Sequence, residues 1–366
     1  MSFVRALIKS AWRLMLQRRR VILGAILLVA VARLAPPART ALPEKLTDEQ
    51  FWTLIAESSE PNGFFRSDNL LSNELQMQHV IPELIRTTLP GRAYVGVGPE
   101  QNFTYIAAVR PSIAFIVDIR RGNLSLHLLY KALFELSTDR ADFVSALFSK
   151  PRPEGLTPRS SVADIFKRFF DVETSEALYN QTLVAIRSHL TSTHKLPLTE
   201  DDLRGIEIVY RAFYWYGPII QYSSSMGGGA GNFPTYMQLM TATDASGVAR
   251  GFLASEEQFA FVKHLHSRNL IVPITGDFAG PKALRAVGRF LRSRNVAVSA
   301  FYLSNVEQYL TRENRREPFC ANVATLPLDP ASTFIRSIRD GNYYPNGTGL
   351  TSVLGNIATE TSDCGK

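Results

Sequence analysis

Short, almost wholly apolar runs alternate along the chain with longer segments that have helical periodicity. The apolar runs lie at 92–96, 113–118, 270–275 and 296–303. Runs of this kind are typical of parallel strands that are buried on both faces of a sheet. Segments with helical spacing lie at 47–55, 73–88, 100–109, 123–136, 255–267 and 281–293. The alternation predicts an α/β fold with a mostly parallel sheet.

The ends of several elements carry recognisable signals. Thr47 and Gln50 have the spacing of a capping box, which predicts that a helix begins there. Ser255 is a typical N-cap, and Pro281 occupies a position favoured at the start of a helix. Near the C terminus the pattern predicts a last strand at 322–326 and a helix at 332–339.

The region between the second and third strands is mainly helical in pattern. We therefore expect a helical insertion at about 141–212 within one α/β domain that spans 44–366. A glycine-rich segment, 227–231, lies between aromatic runs and predicts a mobile loop. It lacks the following Gly-Lys-Ser/Thr of a P-loop, so a phosphate-binding loop of that type is not expected.

The positive charge of the chain is concentrated at its N terminus. The 366 residues carry a formal net charge of +7, but residues 1–43 hold eight Lys and Arg and no Asp or Glu. The rest of the chain is therefore nearly neutral. This distribution does not predict nucleic-acid binding, and no nucleic-acid partner is expected.

The N-terminal segment resembles a targeting sequence in its order of charge and apolarity. Arg18, Arg19 and Arg20 directly precede an apolar segment at 21–35. A basic region followed by an apolar stretch is typical of a signal peptide or a membrane anchor. We therefore expect membrane association through residues 1–43, or export, on either side of the membrane. In an exported protein Cys320 and Cys364 would form a disulfide, whereas in the cytoplasm they would be thiols.

Candidate binding residues follow the predicted strands, at the edge where an open parallel sheet binds ligands. Gly96 and Gly98 form a tight turn after the first strand and let the backbone approach a ligand. Asp118 ends the second strand 22 residues after Gly96. An acid at that place accepts hydrogen bonds from a ribose diol. The later strands are followed by further polar candidates, namely Asp277, Asn305 and Glu307.

Each of these residues also has a purely structural interpretation. The glycines alone would make a tight turn, and Asp118 would cap the next helix or pair with Arg120 or Arg121. Asp277 would cap its own loop. His264 and His266 are two positions apart and do not share a helix face, so no metal site is expected.

The glycine turn after one strand and Asp118 after the next resemble class I S-adenosylmethionine-dependent methyltransferases. The segments YVGVGPEQNFTYIA and FIVDIRRGNL, with Ser72-Asn73-Glu74, are also similar to a bacterial family with a methyltransferase-like core. The resemblance implies a Rossmann-like fold that binds S-adenosylmethionine. The cofactor contacts that it implies are Gly96, Gly98, Pro99, Glu100, Asn102, Asp118, Ile119 and Arg120. The resemblance implies Asn73 and Glu74 as substrate contacts or as residues that support the site, and the strand-end position adds Asn305 to this set.

Two functions follow from these expectations. The first is a methyltransferase with an unknown acceptor, in which positioning dominates catalysis and Asp277 or Glu307 accepts a proton. The second is a membrane-anchored or exported binding protein that keeps the fold without catalysis. An NAD site would have a glycine at position 101, where this chain has Gln101.

Overall fold

The computed structural model describes residues 41–223, 233–339 and 349–362. Most of the N-terminal leader, the glycine-rich segment 227–231 and Cys364 lie outside these residues. In the part of the chain that is described, no helix is long and apolar enough to cross a membrane.

Six strands form one sheet in the described residues. They are β1 Ala93–Gly96, β2 Ile113–Asp118, β3 Ile271–Thr275, β4 Val298–Ser304, β5 Thr333–Arg339 and β6 Leu350–Asn356. Their order in the sheet is β3-β2-β1-β4-β5-β6. Neighbouring strands from β3 to β5 are parallel, and β6 is antiparallel to β5. The predicted α/β class with a mostly parallel sheet is confirmed.

Fourteen α-helices are described around this sheet. They are α1 Asp48–Ser58, α2 Ile81–Thr87, α3 Gln101–Val109, α4 Arg121–Leu136, α5 Arg140–Phe148, α6 Val162–Phe170, α7 Glu176–Ser188, α8 Glu200–Tyr216, α9 Tyr236–Thr241, α10 Glu256–Ser267, α11 Ala283–Ser293, α12 Val306–Arg312, α13 Arg316–Val323 and α14 Ile357–Glu360. The region predicted as an insertion is helical, because it holds α5 to α8. A π-helical turn, His189–Thr193, follows α7 directly.

Helix α4 lies between the sheet and several other helices. It packs against β2 and β3 on one side and against α8 and α10 on others. Most of its residues are buried, including polar ones such as His127 and Lys131. A helix buried on nearly all faces needs partners on every side, and the inserted helices supply the outer partner.

Two expectations near the C terminus are wrong. We expected a helix at 332–339, but these residues contain strand β5. We expected a strand at 322–326, but this segment begins in the last turn of helix α13. β5 forms ladder hydrogen bonds with β4 on one side and β6 on the other. Pairing on both edges, with Phe334 and Ile335 fully buried, outweighs the local helical spacing.

Two helix starts differ from those predicted, and two, after the N-caps Thr47 and Ser255, are as expected. The capping box of Thr47 and Gln50 begins α1. In the 73–88 region the α-helix begins only at Ile81. Helix α11 begins at Ala283 rather than at Pro281, because the Glu60 carboxylate accepts hydrogen bonds from the backbone N–H of residues 282 and 283. This cap comes from a distant segment, so local sequence did not indicate it.

Candidate functional site

A cavity of about 550 Å³ opens where β1, β2, β3 and β4 end. Because β1 and β4 are neighbours where the strand order reverses, the cavity lies at the switch point where open α/β sheets bind ligands. Its volume is within the range of small-molecule sites. Its lining includes an aromatic wall, defined by Phe64, Phe65, Tyr222, Phe233 and Tyr309.

Nine of the residues predicted for the site contribute to the wall of this cavity. They are Asn73, Glu74, Gly98, Pro99, Asp118, Ile119, Arg120, Asp277 and Asn305. The other four predicted residues are described but do not line it. They are Gly96, Glu100, Asn102 and Glu307.

The glycine turn after β1 is shaped by the protein itself. Gly98 has a φ of 77°, a left-handed conformation that favours glycine. A Cβ atom on Gly96 would lie 1.9 Å from Asn102 Oδ1, so only glycine fits there. The Asn102 amide donates hydrogen bonds to the carbonyl oxygens of residues 97, 98 and 99, at 2.7 to 3.2 Å. Gly96 and Asn102, predicted as cofactor contacts, therefore lie beneath the turn and hold its shape.

A second contact fixes the same turn from α4. His127 Nε2 lies 2.9 Å from the carbonyl oxygen of Gly98. Burial lowers the pKa of His127 to about 4, so the ring is neutral at neutral pH. Because a carbonyl only accepts, Nε2 carries the proton of this hydrogen bond. The turn is thus held from α3 and from α4.

The acid at the end of β2 is paired with an arginine two residues away. Asp118 Oδ1 accepts a hydrogen bond from the backbone N–H of Arg120, at 2.8 Å, and forms an ion pair with Arg120 Nε, at 3.2 Å. Asp118 Oδ2 accepts one from Arg120 Nη2, at 3.2 Å. The pairing of Asp118 with Arg120, one of the structural alternatives, is present in the structure. Both side chains still line the cavity.

The acid that follows β3 is also engaged. Asp277 Oδ2 pairs with Arg315, at the start of α13, and its Oδ1 accepts a hydrogen bond from the Ala279 N–H. The loop-capping role is therefore seen. Both carboxylate oxygens of Asp277 are therefore engaged in contacts within the protein.

A buried polar network forms the floor of the cavity between β1 and β4. Glu74, which is 1% exposed, accepts hydrogen bonds from the hydroxyls of Tyr302, at 2.7 Å, and Ser304, at 2.6 Å. Its other oxygen accepts one from Gln101 Nε2, at 2.7 Å. Gln101 Oε1 in turn accepts one from the Ser72 hydroxyl. Each oxygen of the buried Glu74 carboxylate thus has a partner, as a buried charge requires.

The end of β4 has an unusual backbone. Ser304 has a φ of 50°, which non-glycine residues seldom adopt, and the β4–β5 register shifts at the same point. This conformation accompanies the Ser304 hydroxyl contact with Glu74. Asn305 follows at the cavity wall, but Glu307, on α12, lies outside the cavity and pairs with Arg336.

Glu100 lies inside the protein rather than at the cavity. It is fully buried, and its Oε1 accepts a hydrogen bond from the Ser72 backbone N–H. In the described part of the chain, no group forms a hydrogen bond with its Oε2. Burial raises the pKa of Glu100 to about 8, and the Ser72 hydrogen bond opposes the rise. Glu100 is therefore largely protonated at neutral pH.

We expect Glu100→Gln to stabilise the protein at pH 8 but not at pH 4. The folded-state pKa lies above the unfolded value of 4.5, so the wild type loses stability as the pH rises from about 4.5 to 8. Glutamine does not ionise, and the variant should be more stable at pH 8 by about 4 kcal/mol. Urea unfolding at both pH values measures this. The same substitution at exposed Glu154 is the control, and an equal effect at both pH values would contradict the prediction.

Sequence reasoning missed the residues that the chain brings to the site from far away. Tyr302, Ser304, Arg315 and the aromatic wall were not predicted. Tyr302 and Ser304 lie at the end of β4, so the strand-end rule that selected Asn305 could have extended to them. No comparable signal indicates Arg315 or Phe64.

Comparison with known proteins identifies a family. Among curated proteins none matches this chain. A family model described as Domain of unknown function (DUF7790) matches residues 70–352, which is more than three quarters of the chain. The match includes β1 to β5, the glycine turn and the Glu74 network. The chain therefore belongs to the DUF7790 family.

Proposed function

We propose that the cavity binds S-adenosylmethionine and that the protein transfers its methyl group to a small acceptor. The observation that carries the proposal is the placement of the Gly98 turn and Asp118 on adjacent strand ends of one cavity. The strand order β3-β2-β1-β4-β5 is that of doubly wound nucleotide-binding sheets. A ligand at this switch point would reach both groups.

Asp118 keeps the capacity to accept a hydrogen bond from a ribose hydroxyl. A carboxylate offers about four acceptor positions. Arg120 donates one hydrogen bond to each oxygen, and its Nε lies 3.2 Å from Oδ1 as an ion pair. The remaining position on Oδ2 is available to a ligand in the cavity.

The chemistry that fits this site is transfer by positioning. In methyl transfer an acceptor lone pair forms the new bond to carbon, the carbon–sulfur bond breaks, and its electron pair stays on sulfur. Holding the two reactants in line supplies much of the rate enhancement. The pairing of Asp277 with Arg315 favours an acceptor that needs no strong base. The aromatic wall favours an acceptor with an apolar part.

Titration calorimetry of the full chain with S-adenosylmethionine tests the proposal. We expect binding by the wild type and at least about tenfold weaker binding by Asp118→Asn, since a hydrogen bond to a charged group is lost. Asp244→Asn is a matched control, because Asp244 is also buried and paired with an arginine, Arg250, but does not line the cavity. No heat with the wild type, or equal affinities for the two variants, would refute the proposal.

The second function remains a binding protein without catalysis. Both charged acids of the cavity wall that follow β2 and β3 are already paired with arginines, which favours binding over proton transfer. Cofactor binding without methylated product from any tested acceptor would support it.

Membrane association or export through residues 1–43 is likewise a proposal. A reporter fused after Pro43 would show on which side of the membrane residues 44–366 lie.

A further inference from the structure

A cluster of two histidines and a glutamate lies apart from the cavity, at the far end of α4. The cluster consists of Glu135, His189 and His194. One ligand-type atom from each lies within 4.8 Å of the others. None of the three lines the cavity.

We infer that this cluster is a site for a divalent transition metal of the zinc class. His189 Nε2 lies 2.7 Å and His194 Nε2 lies 2.5 Å from the same oxygen, Glu135 Oε2. Two imidazole nitrogens and one carboxylate oxygen that converge on one point are a common zinc donor set. Tetrahedral ligands of zinc lie about 3.3 Å apart, so the three groups would separate by less than 1 Å to admit the ion.

The π-helical turn is what brings the two histidines together. The His194 N–H donates to the His189 carbonyl oxygen at 3.0 Å, which is the hydrogen bond of a π-turn. In a regular α-helix, residues five positions apart point in different directions. Here the two rings lie 4.8 Å apart between centroids. Single π-turns are rare and are often found at functional sites.

The surrounding groups orient the donors as in known metal sites. His194 Nδ1 lies 2.6 Å from Asp48 Oδ1, so Nδ1 carries the proton and Nε2 is left to bind metal. Asn269 Nδ2 holds the same Asp48 oxygen at 2.8 Å. Lys131 donates to Glu135 Oε1, at 2.6 Å, which leaves Oε2 as the donor oxygen.

The exposure of the donors also fits an ion. Asp48 and Glu135 supply two negative charges and Lys131 one positive charge, so two carboxylates are in place to balance a divalent cation. The side chains of His189 and His194 are 16% and 11% exposed. Water can therefore reach the open fourth position that a three-ligand site leaves. The ion would join α4 to the π-turn, and Asp48 of α1 would support it through His194.

Titration of the chelator-treated full chain with zinc chloride tests the inference. We expect one zinc per chain, a dissociation constant in the micromolar range or tighter, and an unfolding midpoint raised by about 5 °C at a 100-fold excess over that constant. His189→Ala should weaken binding at least 100-fold, and Asp48→Asn about tenfold. The exposed histidines His79 and His264 provide the matched control variants, which should bind as the wild type does.

Two results would overturn the inference. One is no zinc binding by the wild type, and the other is binding that His189→Ala and Asp48→Asn leave unchanged. Cobalt(II) absorption of the wild type gives a measurement that needs no variant. Intense visible bands of a four-coordinate ion support the site, whereas the weak bands of hydrated cobalt contradict it.

Discussion

Replacing Arg140 by alanine should lower the free energy of unfolding by about 4 kcal/mol. Arg140 is 1% exposed and donates five hydrogen bonds. One goes to the Glu256 carboxylate, and the others go to the carbonyl oxygens of Pro158, Ser160, Leu253 and Ala254. Alanine would leave these acceptors without partners and would open a cavity as well. Arg140→Lys should recover little, because one ammonium cannot reach acceptors on both sides.

Urea unfolding at neutral pH measures the effect of Arg140→Ala. Arg152→Ala is the control, because Arg152 pairs with Asp139 and Asp142 near the surface. This substitution should lower the free energy of unfolding by less than about 1 kcal/mol. A loss for Arg140→Ala as small as that of the control would show that the buried hydrogen bonds contribute little.

Replacing Glu74 by alanine should also lower the free energy of unfolding by about 4 kcal/mol, and it should disorder the floor of the cavity. Three donors, on Tyr302, Ser304 and Gln101, would lose their acceptor in a buried place. Glu74→Gln keeps the volume but places an amide donor where an acceptor stood. We expect it to cost about half as much.

Paired measurements separate the two effects of Glu74. Urea unfolding gives the stability loss, and titration with S-adenosylmethionine gives the loss of affinity. Exposed Glu83 on α2 offers the control substitution, Glu83→Ala, which should change neither by much. A stable Glu74→Ala variant would contradict the view that this network holds the cavity floor.

Strand ends could be read from the sequence because an apolar run that stops at a polar residue is a local signal. Asp118 and Asp277 were found in this way, and both line the cavity. The sequence indicates the partner of one of these acids but not that of the other. Arg120 is two residues from Asp118 and was considered, whereas Arg315 is 38 residues from Asp277. Pairing across that distance depends on where α13 packs.

The floor of the cavity was still harder to predict. Glu74 and Tyr302 are 228 residues apart, and their contact exists only because the region near β1 meets the end of β4. The π-turn could not be predicted from the sequence either. Its two histidines are five residues apart, and the search for periodicity assumes regular helices. β5 was misread because strand pairing, rather than local spacing, decided its structure.

Helix α4 connects the cavity to the cluster of Glu135, His189 and His194. His127 holds the Gly98 carbonyl near one end, and Glu135 faces the two histidines eight residues later, about 12 Å along the helix axis. A rigid helix that is buried on most sides moves as a unit. If a ligand at either site displaces α4, thermodynamic linkage requires an equal and reciprocal change in affinity at the other. The metal site would then act as a regulator of the cavity, with no contact between the two ligands.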